Sequence, residues 1–241
     1  MFHLGHAFVA GITCLCSSVA VAADFQILTN GGFETGNLSG WTSTLGLGHV
    51  VSVSAGEPPC VRIVPNVPRS GSFLFSSSIH DGAVPNTPEI TIHQAIDVSG
   101  FPGIAAGGAS IDALGYFAGA DGCTVQDPSE DLAQIVVEFR DGGPGGALLG
   151  TAVSAPLDPV PGNWNPLGIT GPVPAATDTI VVRVRTTLDP GHASIDMGVD
   201  DLSLVLSVPE TPDAVPAAGA SWLGALAAAL LGATAIQFRR R

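Results

Sequence analysis

Apolar and polar residues alternate along the body of this chain. In the run 179–185, Thr-Ile-Val-Val-Arg-Val-Arg, Arg183 and Arg185 share the face opposite Val182 and Val184. Because successive side chains of a strand point to opposite faces, a period of two predicts β-strands that bury one side. No amphipathic pattern of helical period interrupts these runs. The sequence therefore predicts an all-β fold.

Strand-like segments recur between short turns rich in glycine, proline and aspartate. Short strands with frequent turns are typical of an antiparallel β-sandwich. The glycine-rich stretch 141–146 predicts a hairpin turn, because it lacks the Lys-Ser/Thr pair of a phosphate-binding loop. The predicted strands are residues 25–28, 49–54, 72–79, 89–98, 110–118, 132–140, 148–153, 179–187 and 193–207.

The N-terminal end differs from the body. Residues 1–23 hold an apolar stretch that ends in Ala-Val-Ala-Ala, small residues of the kind that a signal peptidase reads. No lysine or arginine precedes the stretch, so a retained membrane anchor is the alternative to cleavage after Ala22 or Ala23. We expect a signal segment at 1–23 and one domain at 24–208.

The C-terminal segment, residues 209–241, begins with Pro209 and Glu210 and ends with Arg239, Arg240 and Arg241. After a linker at 209–216, the uncharged run 217–238 is about 33 Å long as a helix, enough to cross a bilayer core of about 30 Å. Three terminal arginines stay on the cytoplasmic side of a membrane. This segment predicts one transmembrane helix.

The signal segment, Pro-Glu motif, apolar run and arginine cluster together resemble the PEP-CTERM class of exported bacterial proteins. Thr211 departs from the class, which usually has a second proline there. The resemblance implies an exosortase-type processing enzyme as a partner, with anchorage in the inner membrane before processing. It implies a place at the cell surface or in an extracellular biofilm matrix afterwards. An ordinary tail anchor without processing is the alternative.

The body is strongly acidic. Lysine is absent, and residues 24–213 carry five arginines against all 21 acidic residues, a formal charge of −16. Such a surface repels phosphate backbones, so we expect no nucleic-acid partner. Divalent cations and neutral glycans are more compatible partners for such an acidic surface. Solubility alone explains the acidic composition equally well.

Two cysteines, Cys60 and Cys123, remain outside the signal segment. In an oxidising exported compartment, two cysteines most simply form one disulfide. Two free thiols are the alternative.

Two motifs flank the body. Residues 30–41 read Asn-Gly-Gly-Phe-Glu-Thr-Gly-Asn-Leu-Ser-Gly-Trp, and residues 198–204 read Gly-Val-Asp-Asp-Leu-Ser-Leu. Together they resemble the opening and closing strands of jelly-roll carbohydrate-binding modules and of the related galactose-binding-like domains. The resemblance implies that the first and last strands lie side by side.

That resemblance also implies a structural Ca²⁺ between the two strands. Gly32 would offer a carbonyl, and Glu34 together with Asp200 or Asp201 would offer carboxylates, the oxygen ligands that a hard cation prefers. The alternative is that these acids cap strand ends and face solvent.

Trp164 is the candidate for stacking against a sugar, because it lies in a polar stretch between Asn163 and Asn165. Phe33 and Trp41 belong to the opening motif, and we expect both in the core.

No nucleophile motif surrounds any serine in the chain. We therefore expect a non-catalytic exported surface or matrix protein that is linked to exopolysaccharide. The alternative is a carbohydrate-binding module that recognises a glycan. A hydrolase or lyase is a third possibility, which needs a pocket with two converging acids or a His-acid pair.

Overall fold

The structure, a computed structural model, describes residues 22–44, 49–52, 61–63, 67–77, 89–122, 131–160, 162–188, 195 and 197–209. Strands make up most of these residues, and the helix α1 (Pro102–Ala105) is one turn long. Residues 22–209 form a compact unit of their own.

One sheet has seven strands in the described part of the chain. Its main order is β10-β7-β12-β5-β3, while β1 pairs with β12 and β4 pairs with β7, all antiparallel. The strands are β1 (Ala22–Gln26), β3 (His49–Ser52), β4 (Val61–Ile63), β5 (Phe73–Ser76), β7 (Ser110–Gly122), β10 (Asn165–Pro172) and β12 (Met197–Pro209).

The other sheet has five strands in the order β2-β6-β11-β8-β9, again all antiparallel. Its strands are β2 (Thr42–Ser43), β6 (Glu89–Asp97), β8 (Leu132–Asp141), β9 (Ala147–Val153) and β11 (Thr179–Thr187). The glycine-rich stretch joins β8 to β9, so the predicted hairpin turn is confirmed.

Both sheets contribute one face to a shared core. Ile180, Val182 and Val184 of β11 point into it, as do Leu204 and Leu206 of β12. Burying an aliphatic side chain of this size stabilises by about 1.5–3 kcal/mol. The alternation seen in the sequence thus produces two sheets that each bury one side. The predicted antiparallel β-sandwich is confirmed, with an architecture consistent with a jelly roll.

The first and last strands lie side by side, as the resemblance implied. Phe25 of β1 pairs with Leu206 of β12, and the N–H of Leu202 donates to the carbonyl of Gly31 at 3.0 Å. The pairing runs outward to Ala22 and Pro209. Ala22 and Ala23, at the predicted cleavage site, therefore lie in β1, and Pro209, the first residue of the predicted tail, ends β12.

Several strand predictions need correction. The first strand was expected at 25–28 but runs over Ala22–Gln26, because the end of β12 supplies its pairing partner. The strand β10 was not predicted, because its prolines and glycines break the alternation. Proline is tolerated there because β10 is an edge strand, where an absent N–H costs little. The strands β2 and β4 were also missed, since two or three residues carry no periodicity.

Several predicted features lie outside the described residues. These are most of the signal segment, the helix at 217–238, Glu210 with Arg239, Arg240 and Arg241, and the cysteines Cys60 and Cys123. Among the residues that are described, no helix is long and apolar enough to span a membrane.

Candidate functional site

The opening motif forms a tight loop after β1. Asn30 and Phe33 adopt positive φ angles of 51° and 57°. The Asn30 side chain holds the loop by donating to the carbonyls of Asn37 and Ser39 at 3.0 and 3.1 Å. Asparagine tolerates this left-handed conformation well, whereas phenylalanine adopts it rarely.

Burial explains why Phe33 accepts that conformation. Its ring is fully buried and lies 5.9 Å from the ring of Trp41, which is 6% exposed. The Trp41 indole N–H donates to the Asn30 carbonyl at 3.1 Å. The expected core positions of both aromatics are confirmed, and the loop backbone is fixed on top of them.

This loop brings the four predicted calcium ligands into one region. A Cβ atom at Gly32 would lie 3.4 Å from Asp201 Oδ1 and 3.8 Å from Asp200 Oδ1. It would lie 3.7 Å from the Cγ of Glu34. Asp200 and Asp201 sit where the pairing of β12 with β7 is irregular, between Asp200 and Ser203.

Residues 69–73, to which no motif assigns a role at this site, cover these acids. Asp200 Oδ2 accepts the Arg69 and Ser70 amides at 2.8 and 3.3 Å. Asp201 Oδ1 accepts the Ser70 hydroxyl at 2.7 Å, and Asp201 Oδ2 pairs with the Arg69 guanidinium. Glu34 accepts the Ser72 amide at 2.9 Å and the Phe73 amide at 3.1 Å. We call Gly32, Glu34, Asp200 and Asp201 the acid cluster.

The acid cluster holds one deeply buried charge. Asp200 is 0% exposed, and burial raises its pKa to about 6 in spite of hydrogen bonds from the backbone of Asp201, Ser70 and Arg69. The Arg69 guanidinium carbon lies 3.4 Å from the centre of the Tyr116 ring, so the ring holds this cation beside Asp201. Arg69 thereby offsets part of the negative charge.

The acid cluster contains the oxygen atoms that the calcium prediction names. Carboxylate oxygens of Asp200 and Asp201 lie near Gly32, and a buried carboxylate with a raised pKa gains from a nearby cation. In this structure the carboxylates of the acid cluster accept hydrogen bonds from N–H and O–H groups. Among the described residues, no three acidic, histidine or cysteine side chains group closely enough to hold an ion.

Trp164 lies just before β10 and is not a member of the acid cluster. Its ring packs against Leu74 and Ala118, and its indole N–H donates to the Val67 carbonyl at 3.2 Å. The ring is therefore partly buried rather than fully presented to solvent.

A second polar group lies on the outward side of the five-stranded sheet, opposite the core. Charged and polar side chains line up across β6, β11 and β8, where the alternation turns them away from the core. We call this group the polar face. Its members are Glu89, His93, Gln134, Glu138, Arg140, Arg183 and Arg185.

Glu138 links the polar face together. Its carboxylate accepts the Arg140 Nε at 2.9 Å and the Arg183 Nε at 2.8 Å. Burial raises the pKa of Glu138, but the hydrogen bonds and charges of Arg183 and Arg140 outweigh burial and leave the pKa below its ordinary value. Glu138 is therefore an ionised acceptor at neutral pH.

The other charged members surround that centre. Arg185 donates from Nε to Glu89 at 2.6 Å. His93 pairs with Arg183 in the register, and burial followed by the Arg183 charge lowers the His93 pKa. The imidazole is therefore neutral near pH 7.

Sequence reasoning identified the shared face of Arg183 and Arg185 but missed the other members of the polar face. The alternation in 132–140 shows that Glu138 and Arg140 share a face, yet it does not show that β8 lies beside β11. That contact is a matter of strand order, which the local pattern does not contain.

No protein-family model matches this chain, and a search of curated proteins finds no match. Solved structures do resemble it. A cyclase from Fischerella sp. TAU matches with a TM-score of 0.54 and 12% identity, over 78% of this chain and 100% of that chain. The CBM22-1 xylan-binding domain from Paenibacillus barcinonensis Xyn10C matches with a TM-score of 0.48 and 14% identity, over 81% and 100%.

The active domain of tailspike protein 4 of bacteriophage CBA120 matches with a TM-score of 0.47 and 15% identity. That match covers 74% of this chain but only 21% of the tailspike chain. At its low identity, the cyclase match supports the β-sandwich fold alone.

Proposed function

We propose that the β-sandwich is a non-catalytic glycan-binding module and that the polar face is its binding surface. The observation that carries the proposal is the linked set of charged side chains on the outward side of a sheet whose other side is core. Glu138, Arg140 and Arg183 are fixed by mutual hydrogen bonds. Groups held in this way offer oriented donors and acceptors to sugar hydroxyls at little cost in side-chain entropy.

The absence of catalysis is part of the proposal. A glycosidase needs one carboxyl group with a raised pKa that a substrate reaches. Glu138 lies on the open face, but its pKa is lowered. Asp200 has the raised pKa, but it is 0% exposed. Neither residue combines the two properties.

The predicted signal segment and C-terminal tail extend the proposal to the location of the module. The module would be exported, anchored in the inner membrane through residues 217–238, and processed by an exosortase-type enzyme that reads Pro209, Glu210 and the terminal arginines. It would then act at the cell surface or in an extracellular matrix that contains polysaccharide. Detection of a mature form that lacks the tail would test this part.

A structural Ca²⁺ at the acid cluster belongs to the same proposal. Glu34, the Gly32 carbonyl and the carboxylates of Asp200 and Asp201 would hold it. When bound, the ion would neutralise carboxylates that come from the opening loop and the closing strand. The buried charge of Asp200 is the observation that supports it.

A disulfide between Cys60 and Cys123 is proposed as well. The register of β4 and β7 pairs Val61 with Gly122, which are the chain neighbours of these cysteines. The described register thus ends one residue from each cysteine, which supports the proposed pairing. Mass spectrometry of peptides from the unreduced protein would find them linked, whereas two alkylated free cysteines would contradict the disulfide.

The glycan-binding proposal is tested with a panel of neutral and acidic polysaccharides. We expect measurable affinity for at least one of them, lost in Arg183→Ala. Trp164→Ala is the comparison, since Trp164 is the other candidate contact and lies next to β10 in the seven-stranded sheet. Loss in Trp164→Ala alone, with the fold intact by thermal melting, would move the site to that edge. No affinity for any glycan would overturn the proposal.

A further inference from the structure

The polar face concentrates positive charge on an acidic protein. The chain has a formal net charge of −13. Of the four arginine side chains that the structure describes, Arg69 lies at the acid cluster, and Arg140, Arg183 and Arg185 lie on the polar face. The distribution of arginine is therefore far from even over the described surface.

Within the polar face, fewer carboxylates than guanidinium groups take part in the ion pairs. Glu138 accepts hydrogen bonds from both Arg140 and Arg183, and Glu89 accepts one from Arg185. Three guanidinium groups thus share two carboxylates. A third carboxylate, Asp97, lies exposed at the end of β6, where it accepts the Ser99 amide at 2.9 Å.

The guanidinium groups also lie further outward than their partners. The Glu138 side chain is 15% exposed, whereas that of Arg183 is 28% exposed. Arg185 is 43% exposed against 37% for Glu89. A ligand that approaches Arg183 and Arg185 would meet guanidinium groups that are more exposed than the carboxylates with which they pair.

Stacking is not available as the main mode of binding here. In the described strands of the five-stranded sheet, Phe139 is the one aromatic side chain apart from His93, and it is buried in the core. Within these strands, charge and hydrogen bonding are the interactions that the polar face offers a ligand. Arginine matches a carboxylate with two parallel N–H donors, which is stronger than a bond to a neutral hydroxyl.

We propose that the polar face recognises polysaccharides that carry carboxylate groups on their sugars, as uronic acids do, with Arg183 and Arg185 as the contacts. This inference rests on the proposed glycan-binding function and specifies its ligand class. A carboxylate on the ligand would form charge-assisted hydrogen bonds with these guanidinium groups that a neutral glycan does not match.

The test compares a set of polyuronates with the same polymers after reduction of their carboxyl groups, using the full chain. We expect binding of at least one polyuronate and about tenfold weaker binding of its reduced form, the size of one charge-assisted interaction. Affinity should fall as salt is raised, because exposed charges are screened.

Two variants of the polar face should change the affinity in opposite directions. Arg185→Gln should weaken binding to the polyuronate about tenfold, and Glu89→Gln should strengthen it, because Glu89 competes with the ligand for Arg185. Thr170→Glu changes the net charge by the same amount as Arg185→Gln but lies on β10 of the other sheet. It should leave the affinity unchanged.

The outcomes separate this inference from the proposed function. Equal affinity for polyuronates and their reduced forms, or binding of neutral glycans alone, overturns the charge inference and leaves glycan binding intact. Weaker binding in Glu89→Gln also overturns it. Failure to bind any glycan overturns both proposals.

Discussion

Glu138 is the residue that organises the arginines of the polar face. Its side chain lies on the outward side of β8, yet it is only 15% exposed, because Arg140 and Arg183 lie over it. A single carboxylate thereby holds two long side chains, of which Arg140 also donates to the Gly146 carbonyl at 2.9 Å. The order of the polar face depends on this carboxylate staying ionised.

Glu138→Gln should reduce the free energy of unfolding by about 1–2 kcal/mol at pH 7, because two partly buried guanidinium groups lose a charged acceptor. The folded pKa of Glu138 lies below its ordinary value of 4.5. Its stabilisation is therefore complete above that pH and is lost as the pH falls through the folded pKa. Denaturant unfolding of wild type and variant should converge in acid.

Glu89→Gln is the control for that experiment. Glu89 is 37% exposed and pairs with one arginine, so its loss should cost less than about 1 kcal/mol. A difference between wild type and Glu138→Gln that stays constant from pH 7 down to acid would contradict the role assigned to the Glu138 charge.

Among the contacts between elements, the most important is that of the opening loop with the closing strand, β12. Gly31 lies so close to β12 that a Cβ atom there would be 1.9 Å from the Leu202 carbonyl oxygen. The same backbone contact includes the hydrogen bond from Leu202 to Gly31. This contact sets the distance between the opening loop and the two aspartates.

Gly31→Ala should therefore destabilise the protein by about 1–3 kcal/mol or more, because a backbone oxygen cannot turn aside as a flexible side chain does. Gly100→Ala is the matched control, since no atom lies within 4 Å of a Cβ at that turn. Thermal melting of both variants checks the prediction. Similar melting temperatures for the two would show that the loop and strand are not in this close contact.

Some elements follow from the sequence and others do not. The strand β11 was predicted at its observed bounds, because its alternating β-branched residues carry a strong period-two pattern. The strand β10 was missed because Pro166, Gly168 and Gly171 have no such pattern. It forms because β7 offers a free edge over residues 110–117.

The two candidate sites likewise differ in how far the sequence predicts them. The motifs at both chain ends indicated the acid cluster, since they carry its residues directly. Arg69 was missed, because it lies 131 residues from Asp200 and no local pattern connects them. The polar face depends on the order of β6, β11 and β8, which tertiary packing determines.

The molecule as a whole combines an acidic body, a cluster of carboxylates at the junction of its first and last strands, and one face with outward arginines. The acid cluster joins parts of the chain that are far apart in sequence, so an ion bound there would tie the ends of the sandwich together. The polar face lies on the other sheet. The first site would serve stability and the second would serve binding.

Calcium should raise the melting temperature, because a ligand that binds only the folded state adds about 2.7 kcal/mol at one hundred times its dissociation constant. For a domain of this size that corresponds to about 5–11 °C. Excess chelator should reverse the shift. Glu34→Gln should abolish it, while Glu89→Gln, which makes the same change outside the acid cluster, should keep it.

A shift that survives in Glu34→Gln would contradict calcium binding at the acid cluster. No shift at any calcium concentration would indicate that Arg69 and the amides of residues 69–73 satisfy these carboxylates without a metal ion.

The most direct measurement is to map glycan binding residue by residue, by following the amide NMR signals during titration with a polysaccharide fragment that binds. Glycan binding at the polar face requires the largest changes in β6, β8 and β11, around His93, Glu138 and Arg183, with little change in β10 and β12. Changes centred on β10 and Trp164, or none near the polar face at saturation, would contradict it.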